Sequence, residues 1–430
     1  MSGLAAPPAY PRAAVARRGL AVLVLLAFLT SMDITLTALL IEPMRLELGL
    51  SDVQIGLLQG TVFGLSYGLS SLAMGWLIDR RNRVHLQLGG IVVWGLAIAG
   101  TGLADSFGPL VAWRIALGVV TALLVPAGLS VIADLFPPER RSVATSLFVG
   151  GQACGQAAGI LIGGSAFDLL TRLAPVLAGL TPWRALYVGA AALCLVLFLL
   201  LFTLREPKRQ ERTAEGGGVA GWRELWTHRR FLAPLLGGLL FAVVAAQGAH
   251  VWAAPLLMRN FSLTPGAFAG WLSAVTLAGL IVGALAGGQL AELGRRRGGR
   301  AGVLLPGAIA ALLIAPLSLF AVATTVQVFG VLIGLALICA GLIPTVGVIA
   351  LTLNLPNEIR GRGIAAYVLT TALGTATAPA AIALIGDLLG GEAMLGQAVV
   401  MVSAPAGMLG AVCFMLAMRG DRRPDAVAPA

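Results

Sequence analysis

Charge is scarce in this sequence. Asp, Glu, Lys and Arg make up 11% of its 430 residues, and Lys208 is the single lysine among 29 basic side chains. Soluble domains carry roughly 25% charged residues, so this usage is far from that of a water-soluble fold. Cysteine is also rare. Cys154, Cys194, Cys339 and Cys413 lack metal-ligand spacing and read as small buried apolar groups. No GxxxxGK[ST] loop, HExxH pair or GxSxG turn is present, which argues against a nucleotide-driven machine, a zinc hydrolase or a serine hydrolase. Neither an enzyme nor a bound cofactor is expected. Nucleic acid is not an expected partner either: despite a net charge of +10, no polar stretch is long enough to form a basic folded face.

What the sequence has in excess is hydrophobic residues, at 58%, and glycine, with 56. Crossing about 30 Å of hydrocarbon at about 1.5 Å per residue takes roughly 20 apolar residues. Such runs recur at 20–41, 53–78, 86–104, 110–134, 142–170, 182–204, 231–258, 265–291, 301–323, 326–353, 363–389 and 393–418, giving twelve expected membrane helices. The first run follows Arg12, Arg17 and Arg18 as a signal peptide would, but it continues through Met32 to Leu40 without a cleavage pattern and is kept as helix 1. With both termini on one side, that side holds 24 of the 29 basic residues and is expected to be cytoplasmic. The other five are Arg45, Arg114, Arg172, Arg184 and Arg259. Using 28 arginines against one lysine suggests a G+C-rich bacterial source and hence the inner membrane.

The chain repeats itself. "LSDVQIGLL" from Leu50 corresponds to "LTPGAFAGWL" from Leu263, displaced by 213, each a polar cap opening an even-numbered helix. The same shift carries Gly75 onto Gly288 and Asp79 onto Glu292, and "PPERR" at 137–141 corresponds to "PNEIR" at 356–360. A repeat of six spans implies two bundles with a binding cavity between them near the midplane. The expected organisation is a tail at 1–17, a bundle at 18–204, a linker at 205–230 containing "EGGGVAG", a second bundle at 231–419 and a tail at 420–430, with both tails disordered.

"GWLIDRRNR", Gly75 to Arg83, resembles the G-x-x-x-D-R-x-x-R signature of the major facilitator superfamily between helices 2 and 3. The resemblance covers about residues 18 to 419. It implies an all-α membrane fold of twelve helices in two pseudo-symmetric six-helix bundles, working by alternating access. On physical grounds Gly75 would let a neighbouring helix approach and Asp79 would face the positive N-terminus of helix 11, where an anion contributes about 0.3–1 kcal/mol, and so latch the bundles together, with Glu292 as its counterpart in the second half. As the family resemblance implies, Arg80 and Arg83 would hold that carboxylate and the adjacent loop. Four-residue glycine series in helix 2 (Gly56 to Gly68), helix 5 (Gly155 to Gly163) and helix 8 (Gly279 to Gly287) allow close helix contact in lipid. The family implies that helix 2 packs on helix 11 and helix 5 on helix 8.

Asp33 lies mid-helix, where a charge costs about 2.5–3.5 kcal/mol on insertion scales. Desolvation favours the neutral form of a carboxyl group, making Asp33 a candidate proton site. Thr30 and Thr37 share its face and are expected to form a polar strip toward the cavity. Arg114, with Gly118 and Thr121 on its face, would pair with Asp33, hold an anionic substrate group or snorkel to the interface. His250, the sole histidine in a span, is a second proton candidate. Gln152, Gln156 and Gln247 are expected to line the cavity.

Within the superfamily, residues 32–83 are most similar to spinster-like transporters, in the helix 1 aspartate, "LSDVQIGLL" and "LIDRRNR". Ile34 and Thr121 depart from that pattern, which usually has arginine and glutamate there. The expected function is export of a lipophilic or amphipathic small organic molecule, driven by the proton gradient, by a monomer in the lipid bilayer. The alternatives are uptake of a small organic anion, a passive facilitator or a transport-silent receptor.

Overall fold

A computed structural model of the chain describes residues 10–173, 179–209 and 225–420. Residues 210–224 of the expected linker, which include "EGGGVAG", residues 1–9 of the first tail and 421–430 of the second lie outside the described residues. Twelve helices among the described residues are long and apolar enough to cross a membrane. They are α1 (Ala13–Leu48), α2 (Asp52–Arg80), α3 (Arg83–Leu103), α4 (Phe107–Leu135), α5 (Pro138–Arg172), α6 (Pro182–Leu201), α7 (Arg229–Val251), α8 (Pro265–Gly302), α9 (Leu305–Val322), α10 (Val326–Asn354), α11 (Asn357–Leu389) and α12 (Leu395–Gly420).

Local chemistry sets several ends. Ser51 and Gln54 form the expected capping box: the Gln54 amide donates to Ser51 Oγ at 3.2 Å and the Ser51 amide to Gln54 Oε1 at 2.9 Å. Pro265 opens α8 at its first turn, but the Thr264 hydroxyl donates across to Asp168 Oδ2 at 2.8 Å instead of capping. A break at Trp252 ends α7, and Ala253–Phe261 continues as a short helix. Helix α1 starts at Ala13, inside the stretch expected to be a tail, and the Tyr10 hydroxyl accepts from Arg141 at 3.5 Å.

The sequence repeat is visible as repeated geometry. Arg141 Nε donates to the Phe136 carbonyl at 3.1 Å, and Arg360 Nη2 donates to the Leu355 carbonyl at 3.4 Å, the same five-residue return in each half.

Both helix pairings that the family resemblance implies are present, α2 on α11 and α5 on α8, but only the α2 series makes such a contact with its own glycines. Cβ atoms on Gly56, Gly60 and Gly64 would lie within 3 Å of Pro379 or Ala376, so α2 meets α11 backbone to backbone. The other two series pack inside their own bundles. Gly155 and Gly159 admit α1 at Phe28 and Met32, while Gly279 and Gly283 admit α10 at Leu337 and Ile338. Helix α5 meets α8 one residue beyond its series, at Gly164 against Pro265 and Ala269.

Candidate functional site: a clamped end, an open end and two polar compartments

The bundles are joined at the end where α1 finishes and α2 begins. Arg259, on the short helix after α7, donates to Glu42 Oε2 at 2.6 and 2.9 Å and to Asp52 at 2.7 Å through both terminal nitrogens. Glu42 also accepts from Arg45 at 2.8 and 3.0 Å, and Arg45 reaches Glu392 before α12 at 2.5 Å. Two arginines and three carboxylates from both halves thus form one network, largely shielded from solvent around Glu42. Charge-assisted bidentate bonds of this kind are the strong class of hydrogen bond.

At the opposite, basic end the bundles part. Beside the Gly64 and Gly68 level of the α2/α11 contact lies a groove of about 300 Å3 lined by the exposed Leu65, Leu69, Leu369 and Leu373. Cβ atoms on Gly75 and Gly288 would meet nothing within 4 Å. Asp79 is exposed, and its backbone carbonyl accepts from Arg209. Glu292 bonds Arg295 and Arg296 on its own helix at 2.7 to 2.9 Å. Neither member of the expected latch is engaged in this arrangement.

The expected roles of Arg80 and Arg83 are corrected here. Arg80 stacks over Trp76, 4.4 Å from the ring centroid. Arg83, only 2% exposed, turns away from Asp79. It pairs with Asp134 at 2.5 Å and Glu206 at 2.7 Å and donates to the Ser130 carbonyl and hydroxyl at 3.0 Å. The start of α3 therefore holds the end of α4 and the first residues of the linker, because α3 points Arg83 inward while Asp79 ends α2 on the surface.

The titratable groups singled out in the sequence fall into two compartments. Asp33 is buried inside the first bundle, facing α3 and α6 beside a void of about 20 Å3 lined by Trp94, Ile98 and Cys194. The threonine strip turns the same way and does not face the cavity, which corrects the expectation for Thr30 and Thr37. Thr30 donates to the Leu26 and Ala27 carbonyls at 2.8 and 3.1 Å, and Thr37 accepts from the Tyr187 hydroxyl at 2.9 Å. The next residue, Ile34, is 45% exposed. Arg114 does not snorkel. It is buried, acts on the Asp33 charge, and donates to Gln59 Oε1 on α2 at 2.5 Å.

His250 and Gln247 occupy the second compartment. Both line a cavity of about 150 Å3 between α7, α10 and α11, together with Tyr367, Thr371 and Pro344. His250 also borders a void of about 40 Å3 between the bundles, against Thr35, Ala38 and Thr276. Thr121 spends its hydroxyl on the Leu117 carbonyl at 2.7 Å. Gln152 and Gln156 are half-buried on α5, where the Gln156 carbonyl accepts from Thr35 at 2.9 Å.

The sequence reading missed the clamp. It counted Arg45 and Arg259 only as basic residues on the less basic side and gave Glu42, Asp52 and Glu392 no role. The available signal was Glu42 within an apolar run, one residue before Pro43.

The sequence profile of the Major Facilitator Superfamily matches residues 23–254 and again 239–430, once per half. An MFS-type efflux pump of Mycolicibacterium smegmatis is 26% identical over 96% of this chain and 94% of its own. Protein spinster homolog 1 of Rattus norvegicus is 30% identical over 49% of this chain and 40% of its own. Among solved structures, a bacterial homologue of the human lysosomal transporter spinster, inward-facing and unoccupied, superposes with a TM-score of 0.78 over 97% of this chain and all of that one, at 23% identity. That last likeness speaks to the fold alone.

Proposed function

The chain belongs to the major facilitator superfamily and is a multi-pass membrane transporter, and from that premise we propose that it exports a lipophilic or amphipathic small organic molecule in exchange for protons. It would do so as a monomer in the bacterial inner membrane, with the basic end and both termini cytoplasmic.

The observation that carries the reading is the asymmetry between the ends. A charged network clamps one end, while at the basic end Gly75 and Gly288 face open space and Glu292 bonds only arginines of its own helix, so the molecule is poised to load from the cytoplasmic side. The apolar lining around Gln247, His250 and Tyr367 suits a greasy substrate with a polar handle. The relative named an efflux pump, matched over nearly the full length of both chains, supports the direction. Asp33 would take the proton inside the first bundle, apart from the substrate path, with His250 as a second proton site on that path. Uptake of an organic anion needs an anchoring cation on that path, and Arg114 is instead committed to Gln59 inside the first bundle.

The test is transport of ethidium and a panel of amphipathic compounds in proteoliposomes, with and without an imposed pH gradient, comparing the unmodified protein with Asp33→Asn. Gradient-driven accumulation that disappears in Asp33→Asn while passive exchange survives is the expected result. Equal, gradient-independent flux in both proteins would make the chain a facilitator and overturn the reading.

A further inference from the structure

Helix α2 is not α-helical throughout: Leu57–Val62 forms a π-helical turn. Such turns are rare and concentrate at functional sites. This one carries two polar side chains that reach different bundles. Gln59 accepts from Arg114 of the first bundle at 2.5 Å, and its own Nε2 is buried without a hydrogen-bond partner. Two residues on, the Thr61 hydroxyl donates to the Ala376 carbonyl of α11, in the second bundle, at 2.8 Å.

Arg114 also feels the charge of Asp33, whose Oδ1 is likewise buried without a hydrogen-bond partner, beside a void with room for about one water. The charged and titratable side chains acting on Asp33 are Arg114 from α4 and Tyr187 and Cys194 from α6. Helix α3 contributes Trp94, and α5 meets this level of α1 through Gly159.

We propose that the π turn of α2 is the element that passes the charge state of the Asp33 and Arg114 pair to the contact between the bundles, with Gln59 and Thr61 as positioning residues. The inference rests on the proton-coupled reading above. While Asp33 is charged, the guanidinium of Arg114 is drawn toward two acceptors. Once Asp33 is protonated, Gln59 is the stronger one, and a bond from a charged donor strengthens as its competitor is lost. A π turn holds one more residue than the α-helical turn it can revert to. Reverting rotates Phe63–Arg80, which carries Gly75 and Asp79, against the outer segment fixed by the Ser51 and Gln54 box and by the bonds Arg259 donates to Asp52. Rotation at Thr61 is felt directly by α11.

The experiment needs no substrate. Spin labels on Ala73→Cys and Ile364→Cys, both exposed, report the separation of α2 and α11 at the open end. Cys154→Ser and Cys413→Ala remove the accessible native thiols, and the buried Cys194 and Cys339 stay. Distance distributions are recorded in nanodiscs between pH 5 and 8. The expected result is a second, shorter population that grows or fades with pH in the otherwise unmodified chain, is locked in Asp33→Asn, disappears as a pH response in Gln59→Leu and Thr61→Val, and returns in Thr61→Ser, which restores the hydroxyl. A pH response that persists in Gln59→Leu and Thr61→Val overturns the relay and leaves proton coupling standing. A pH-independent distribution in the unmodified chain, or a response that survives Asp33→Asn, removes Asp33 coupling itself and the relay with it.

Discussion

Replacing Arg259 with glutamine should release the clamped end. Its guanidinium makes four hydrogen bonds to Glu42 and Asp52, and with an exposure of 13% it has little access to solvent. Removing one partner of a buried ion pair costs about 3–5 kcal/mol, because the remaining charge is left desolvated. Arg45 still holds the other oxygen of Glu42, so the lower end applies, about 3 kcal/mol. That cost falls on the clamped conformation and is relieved once the end opens to water. At about 1.4 kcal/mol per tenfold, the ratio of clamped to open molecules falls roughly a hundredfold. Labels on Leu46→Cys and Leu388→Cys, exposed at the ends of α1 and α11, would read the change as a longer distance population in Arg259→Gln. Arg259→Lys should fall between the two, since an ammonium cannot bridge both carboxylates as a planar fork does. Asp52→Asn should have the smaller effect because Glu42 still binds the guanidinium. An unchanged distribution in Arg259→Gln, or a larger shift in Asp52→Asn, would refute the argument.

Two further expectations concern stability and are checked by thermal unfolding in detergent. Arg83→Ala removes the buried guanidinium from between Asp134 and Glu206 and should lower stability by about 3 kcal/mol, whereas Arg80→Ala loses only an exposed cation–π contact worth about 0.5–1 kcal/mol. Gly155→Ala drives a Cβ into the Phe28 carbonyl and should separate α1 from α5 at a cost of about 1–3 kcal/mol, while Gly150→Ala, which meets nothing within 4 Å, serves as the silent control.

The twelve helices and their repeat were legible because bilayer thickness fixes the length of an apolar run, and because the halves kept equivalent residues at their turns, as the matching bonds of Arg141 and Arg360 illustrate. The direction in which a polar residue faces was not. Asp33, Thr30 and Thr37 share a helical face on any wheel, and their grouping was right. Whether that face meets the cavity or α3 and α6 depends on how α1 is rotated in its bundle. That rotation is set by Gly155 and Gly159 of α5, which let α1 approach at Phe28 and Met32. A four-residue glycine series announces a close helix contact without naming the partner, and for α5 and α8 the partner was inside the bundle.

The clamp was illegible for a different reason. Orientation rules treat basic residues as a count, and the five arginines off the basic side look like noise around that count. In the structure four of them are the most committed charges in their surroundings: Arg45 to Glu42 and Glu392, Arg114 to Gln59, Arg184 to Glu47 and the Gly102 carbonyl, and Arg259 to Glu42 and Asp52. The two sets obey different physics. An arginine at the basic end gains from lipid headgroups and water wherever it lies along the loop, so its position carries little information. An arginine on the other side, or within the hydrocarbon, is tolerated only where a specific acceptor offsets its desolvation. The exceptions to the topology rule are therefore where a functional contact in such a chain should be sought first, and Arg259, which ties the second half to the first, is the one whose removal would reveal it.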